Sequence, residues 1–349
     1  MGHDANTDRK PCVIAVLGAK GRLSRCVAET ALGTGHQVIA ITRNGKLPAG
    51  LAGAEARAAD AMDRDALISA TKGADVIFNG LNPPYSEWQT SCMNLAHNVV
   101  AAVETHGAYH LFAGNVYNYG VEIPSLAGPE TPQYGSTRKG AIRIAMEQVF
   151  AEAAERNVPT TVLRAGDFYG GNGTGSWFDL MIAAKLAKGV MTYPGNPDIA
   201  HAWAYLPDLA RAFVGLADRR ADLTGFRTFT FAGHTLTGAQ LQRHVAAALG
   251  RSPKRASLPW WLLRAGGLVV PMWREIAEMR YLWFTPHALD GAALKAFLGT
   301  VAETPVQEAV GAALADLEVV RPSVKPRLSN ATRASSEIAV ANEQGIKRH

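Results

Sequence analysis

The chain has 349 residues, with 35 Lys and Arg against 30 Asp and Glu, a formal charge of +5, 48% hydrophobic and 19% charged residues. This allows one large α/β domain with an annex, or two domains, and excludes wholesale disorder. The mild basic excess has no interleaved basic and aromatic stripe, so nucleic acid is not an expected partner. Cys12, Cys26 and Cys92 are scattered, without metal-ligand spacing, and fit a reducing, cytoplasmic compartment.

The N-terminal MGHDANTDRKPC has acidic residues and no apolar run, unlike a signal peptide. CVIAVLG (12–18) is a short β-branched run ending in Gly, expected as a buried parallel strand. GRLSRCVAETALGTGH follows with helical spacing, then QVIAITRN as a second strand. ARAADAMDRDALISATKGA reads as a strand end, a turn and a helix, DVIFNGL as a strand, and WQTSCMNLAHNVVAAVETHGA as a helix. YHLFAGN is a strand, STRKGAIRIAMEQVFAEAAERN a long helix, and TTVLRAGDFYG a strand with its loop. Beyond 170 the pattern predicts a helix in WFDLMIAAKLAKG, a loop HAWAYLPD leading into the helix LARAFVGLAD, a strand FRTFTFAG and a helix TGAQLQRHVAAALG. Residues 259–316 read as broken helices. Their most apolar stretch, LPWWLLRAGGLVVPMW, is too short and interrupted to span a membrane, so no stable insertion is expected; a surface contact through its Trp-rich face stays open.

Strands alternating with helices imply right-handed βαβ units and a doubly wound parallel sheet, with ligands outside the carboxyl ends of the strands. The divisions expected are a core at 11–170, a smaller, mostly helical C-terminal substrate-side region at 171–320 interleaved with the end of the core sheet, and a disordered tail at 321–349.

The first strand delivers GAKGRLS: Gly18 permits a tight turn, Gly21 close backbone approach, and the following helix turns its free N–H groups toward a pyrophosphate. Gly18, Lys20, Gly21, Arg22 and Leu23 are therefore candidate cofactor contacts. The second strand ends at Arg43, with Lys46 near, where an NAD site places Asp or Glu. Arg suits a 2′-phosphate, which favours NADP(H) over NAD(H). Asp60 is expected beside the adenine or as a turn residue, and Asn82 beside the nicotinamide.

With GAKGRLS, Arg43, Asp60, NGLNPPY and the KGAIR helix, the chain resembles the atypical and extended short-chain dehydrogenase/reductases, the NAD(P)-dependent epimerase/dehydratase superfamily with its Rossmann fold, over roughly residues 12–250. VLRAGDFYG and HAWAYLPDLARAF resemble later segments of that superfamily. The resemblance implies a Ser/Thr–Tyr–Lys set. Asn115 stands nearest the serine position, with Tyr117 and Tyr119 close by. In one register Tyr134 is the motif tyrosine, followed by Arg138 and Lys139. In the other, Lys139 takes the tyrosine place and Arg143 the lysine place, with Glu147 four residues on, as in the isoflavone reductase-like branch. The second register is preferred. Lys139 would then be an acid/base tuned by burial and by Arg143.

Tyr85, Trp88, Tyr117, Asp167, Trp177, His201 and Trp203 are expected to shape a pocket for a flat, hydrophobic or aromatic molecule. No residue pattern supports a catalytic metal. These expectations add up to an NADP-dependent oxidoreductase acting by hydride transfer on a small carbonyl or alcohol. The alternatives are a sugar-nucleotide epimerase or dehydratase, and a non-catalytic NADP-binding sensor resembling the NmrA-type regulators. A homodimer stays open.

Overall fold

The computed structural model describes residues 11–319; the tail expected at 321–349 lies outside them. In chain order the first elements are β1 (Val13–Leu17), α1 (Arg22–Gly33), β2 (Gln37–Thr42), β3 (Glu55–Ala58), α2 (Arg64–Ala70), β4 (Val76–Asn79), α3 (Trp88–His106), β5 (Tyr109–Asn115), β6 (Leu126–Ala127) and α4 (Arg138–Ala154). Then follow β7 (Thr160–Ala165), β8 (Asp167–Tyr169), β9 (Val190–Tyr193), β10 (Ala200–Tyr205), α5 (Leu206–Asp218), β11 (Phe226–Phe231), β12 (His234–Thr237), α6 (Gly238–Leu249) and β13 (Lys254–Ser257). The last are α7 (Trp260–Gly266), α8 (Pro271–Glu278), β14 (Ala288–Leu289), α9 (Ala292–Leu298) and α10 (Val306–Asp316).

Seven parallel strands form the main sheet in the order β11-β7-β5-β4-β1-β2-β3. Alternate side chains of the inner strands feed opposite faces. Ala15 and Leu17 of β1 join Ile77 and Phe112 under α2, α3 and α4. Ile14 and Val16 join Val76, Phe78 and Leu111 under α1 and α5. Strands buried on both faces need continuous apolar runs, which explains why VIAVL and VIF were readable as such. From β1 the chain winds one way to β2 and β3, then restarts at β4 and winds the other way. The switch point between β1 and β4 opens the crevice where this sheet type takes its ligand. The seventh strand, β11, comes from beyond residue 170, so the core sheet closes through the later half of the chain.

Two expectations fail locally. HAWAYLPD is not a loop: β10 pairs parallel with β8 and antiparallel with β12. Nor is WFDLMIAAKLAKG a regular helix. It is a π turn at Phe178–Ile182 and a 3-10 turn at Leu186–Lys188. The Asp179 carboxylate turns back to accept the N–H groups of Gly175 and Ser176 at 2.8 and 2.7 Å, which holds the segment on the preceding loop. The later region forms its own apolar cluster, in which Trp203, Trp260, Trp283, Tyr193 and Phe178 are buried. All three cysteines are buried and unbridged.

Candidate functional site

At the switch point Gly18 has φ 62°, a left-handed turn that a residue with a side chain rarely adopts. The turn closes with Gly21 N–H donating to Gly18 O at 2.7 Å. Helix α1 begins without a side-chain cap and without an acidic residue in its first turn, so its leading N–H groups remain for an anion. A Cβ on Gly80, across the crevice after β4, would fall 2.2 Å from Ser24 Oγ. Ser24, in the place of a third glycine, donates its hydroxyl to Leu17 O at 3.0 Å and so joins helix to strand.

The expected cofactor residues divide by position. Lys20 bonds Asn44 at 2.7 Å and thereby leans toward the end of β2, where Arg43 and Lys46 are also exposed. Leu23 is buried in the core and offers its backbone alone. The Arg22 guanidinium is bound by Asp179, Ser176 and Gly170 O, so it ties α1 to the glycine-rich 170–176 loop instead of pointing into the crevice. Asp60 accepts the N–H of Met62 at 3.0 Å as a turn residue, while Asp63 caps α2. Asn82 is exposed and accepts from Arg143 at 3.4 Å.

Helix α4 starts at Thr137, whose hydroxyl accepts Gly140 N–H at 3.0 Å. Gly140 is needed for a second reason. A Cβ there would meet Tyr117 O at 2.5 Å, so glycine lets the helix close on the segment after β5. Lys139, Arg143 and Glu147, spaced by four, all point inward and are buried. Glu147 serves neither neighbouring cation: it pairs with Arg164 of β7 at 2.6 Å and accepts from Asn118 at 2.9 Å. Lys139, only 1% exposed, is gripped by Glu275 and Glu278 of α8 and lies 5.1 Å from the centre of the Tyr85 ring. Burial raises the Glu275 carboxyl, but the hydrogen bond and charge of Lys139 overcome this and leave it below the usual range.

Among the described residues Arg143 has no carboxylate partner. Its guanidinium carbon sits 4.6 Å from the Trp88 ring centre and 5.2 Å from that of Phe112. It reaches Ala113 O at 3.5 Å and Asn82, at the carboxyl ends of β5 and β4, and its buried Nε has no hydrogen-bond partner. Burial lowers its pKa.

Beside these cations the hydroxyls of Tyr85 and Tyr117 meet at 2.7 Å. Burial pushes Tyr85 up to about 12, and burial with Tyr85 and Asp167 nearby raises Tyr117 further, so both stay protonated. Asn115 accepts Tyr117 N–H at 2.9 Å and fixes the turn after β5. Tyr134, by contrast, is 60% exposed on the loop before α4 and stands apart from this group.

The expected aromatic wall is mostly interior. Trp88 is a core residue whose indole N–H donates to Pro83 O at 3.0 Å. His201 and Trp203 are buried on β10; His201 stacks on Trp283 with ring centres 4.3 Å apart and bonds Asp167 at 2.8 Å. Trp177 is partly open and packs against Trp283 and Trp260. Glu275 and Glu278 were not among the expected residues. The i, i+3 spacing of the two glutamates marks one helix face, but nothing local says which lysine it faces.

Residues 18–185 match the family model described as NAD(P)H-binding. No curated protein matches the chain by sequence. Among solved structures, UDP-glucose 4-epimerase from Bifidobacterium longum in complex with NAD+ and UDP superposes with a TM-score of 0.68 at 16% identity, covering 86% of this chain and 97% of that one. UDP-N-acetylglucosamine 4-epimerase from Bacillus cereus gives 0.67 at 18% identity, covering 88% and 99%. MoeE5 in complex with UDP-glucose and NAD gives 0.70 at 16%, covering 88% and 99%. The chain thus carries an NAD(P)H-binding domain. Its fold is that of the NAD-dependent epimerase/dehydratase, or extended short-chain dehydrogenase, enzymes. Among the described residues no helix is long and apolar enough to cross a membrane.

Proposed function

We propose that the chain is an NADP(H)-dependent enzyme of the epimerase/dehydratase type that transfers hydride to or from a carbonyl or hydroxyl carbon of a small molecule. The observation that carries this reading is Arg143, a buried cation with an unpartnered Nε at the carboxyl ends of β4 and β5, beside the switch point. A buried cation held by long hydrogen bonds alone, without an ion-pair partner among the described residues, is costly unless a ligand uses it. The residues present fit a dinucleotide. The Gly18–Leu23 backbone would take the pyrophosphate, and Arg143 with Asn82 the nicotinamide-side ribose. Arg43, Lys46 and Lys20 would take a 2′-phosphate, with no acidic residue at the end of β2 to repel it.

Bound NAD(P) supplies or accepts the hydride. The protein's part is to hold the substrate oxygen near the Tyr85–Tyr117 hydroxyls and to move a proton through Lys139. Because α8 covers Lys139, that chemistry requires α8 to lift. A hydrophobic or aromatic carbonyl compound suits the aromatic surroundings.

A second reading, sugar-nucleotide epimerisation, is favoured by the structural neighbours, which include UDP-sugar epimerases. Fluorescence titration with NADPH and NADH, followed by turnover on aromatic carbonyls with NADPH and on UDP-glucose, separates the readings. Carbonyl reduction supports the first and UDP-galactose formation the second. Tight NADPH binding without turnover on either would overturn both and leave a sensor.

A further inference from the structure

The α7–α8 hairpin turns apolar side chains into solvent at its tip. Leu268 is 90% exposed, Val269 84% and Trp261 72%, and Leu262, Val270 and Met272 are exposed beside them. The tip has a defined shape. A Cβ on Gly266 would fall 2.2 Å from the Trp273 ring, and one on Gly267 3.0 Å from the Arg274 backbone, so the two glycines let the helices meet. Its backbone closes on itself: the N–H groups of Leu268, Val269 and Val270 donate to Ala265 O and Gly266 O at 3.3, 3.0 and 2.8 Å. Pro271 has no N–H to satisfy. Donors paired without water are a condition for entering an apolar medium.

The exposed charges of the hairpin itself are basic: Arg264 on α7 and Arg274 on α8. Arg251, Lys254 and Arg255 precede it in the chain and Arg280 follows it, all exposed, while Glu87, on the turn that α8 packs against, is an exposed acid. The acidic residues of the same segment, Glu275 and Glu278, are drawn onto Lys139 and Arg138, with Arg274 also reaching Glu275. A second copy docked symmetrically on this face would bring like charges together.

We propose that this hairpin docks on an anionic lipid bilayer, with Leu268 and Val269 entering the acyl boundary, Trp261 at headgroup depth and the cations on lipid phosphates. The contact is peripheral and does not depend on the redox reading above.

The test is co-sedimentation of the full chain with vesicles of phosphatidylcholine alone and of phosphatidylcholine with phosphatidylglycerol. Binding is expected on the mixed vesicles only, weakening as salt is raised. Replacing Leu268→Asp together with Val269→Asp should reduce it about tenfold or more, while circular dichroism and NADPH titration stay unchanged. Leu268→Ser with Val269→Ser is a milder pair should the first disturb folding. The tryptophan blue shift on binding should shrink in Trp261→Phe. No binding to the mixed vesicles would overturn the proposal. So would binding unchanged in the tip variants, which would place the contact elsewhere, or a solution dimer that the tip substitutions dissociate.

Discussion

Arg143 lies over the indole of Trp88, 4.6 Å from guanidinium carbon to ring centre, and the carboxylate one helical turn away, Glu147, is paired with Arg164 instead. The aromatic face repays part of the desolvation that burial costs a cation, but not all of it. Arg143→Met keeps the volume and removes the charge. It should leave thermal stability equal or raised by about 1 kcal/mol while weakening NADPH binding at least about tenfold. A melting temperature lowered with NADPH affinity unchanged would reduce Arg143 to a packing residue.

The end of β2 makes a separate claim. Arg43→Asp replaces an exposed cation by a carboxylate where Lys20 and Lys46 also gather. NADPH affinity should fall much more than NADH affinity, by about 1.4 kcal/mol or more of difference. Equal losses in parallel fluorescence titrations would remove the 2′-phosphate role.

The parts of this molecule readable in the sequence are those whose physics is local. The turn at Gly18, the doubly buried strands β1 and β4, and the α4 face carrying Lys139, Arg143 and Glu147 follow from φ, periodicity and helix spacing alone. What escaped depends on distant partners. The stretch that forms β10 is buried along nearly its whole length, and its alternation is hidden among aromatics. Its strand character becomes evident only with β8 and β12 beside it. Helix spacing alone sets Glu147 one turn from Arg143, yet Arg164 on β7 takes it. Lys139 meets its two glutamates 136 and 139 residues further along the chain. No local pattern carries pairings of that range.

Two buried histidines predict how stability falls in acid. Burial pushes both His110 and His287 down to about 3. His110 bonds Thr160 at 3.1 Å through Nδ1, and its Nε2 has no hydrogen-bond partner. In the unfolded chain each would protonate near pH 6.5. Between those limits the unfolded state binds more protons, so stability is complete above about 6.5 and lost as pH falls toward about 3. The slope is at most about 1.4 kcal/mol per pH unit for each histidine. Urea unfolding at pH 7, 6, 5 and 4 should show it, and His110→Gln should lessen it by about one proton. An unchanged slope in a folded His110→Gln variant would count against the burial argument.

The final prediction concerns which residue moves the proton. In the preferred register Lys139 takes the tyrosine place of the motif; it is buried against Tyr85, whose hydroxyl meets that of Tyr117, whereas Tyr134 is 60% exposed. Lys139→Ala should cut turnover about 100-fold or more while NADPH affinity changes only a few-fold. Removing Lys139 also leaves Glu275 and Glu278 without their central cation, so the variant should be paired with Lys139→Met in Glu275→Gln/Glu278→Gln, which removes the orphaned charges with it. Tyr134→Phe should be nearly silent. Tyr117→Phe should lower kcat with little change in stability, since it removes one hydroxyl of the pair and keeps the ring in place. The measurements are kcat and KM on whichever substrate the panel yields, with NADPH affinity and melting temperature alongside. A crippled Tyr134→Phe beside an active Lys139→Ala would move the acid/base out of α4 and onto the loop before it.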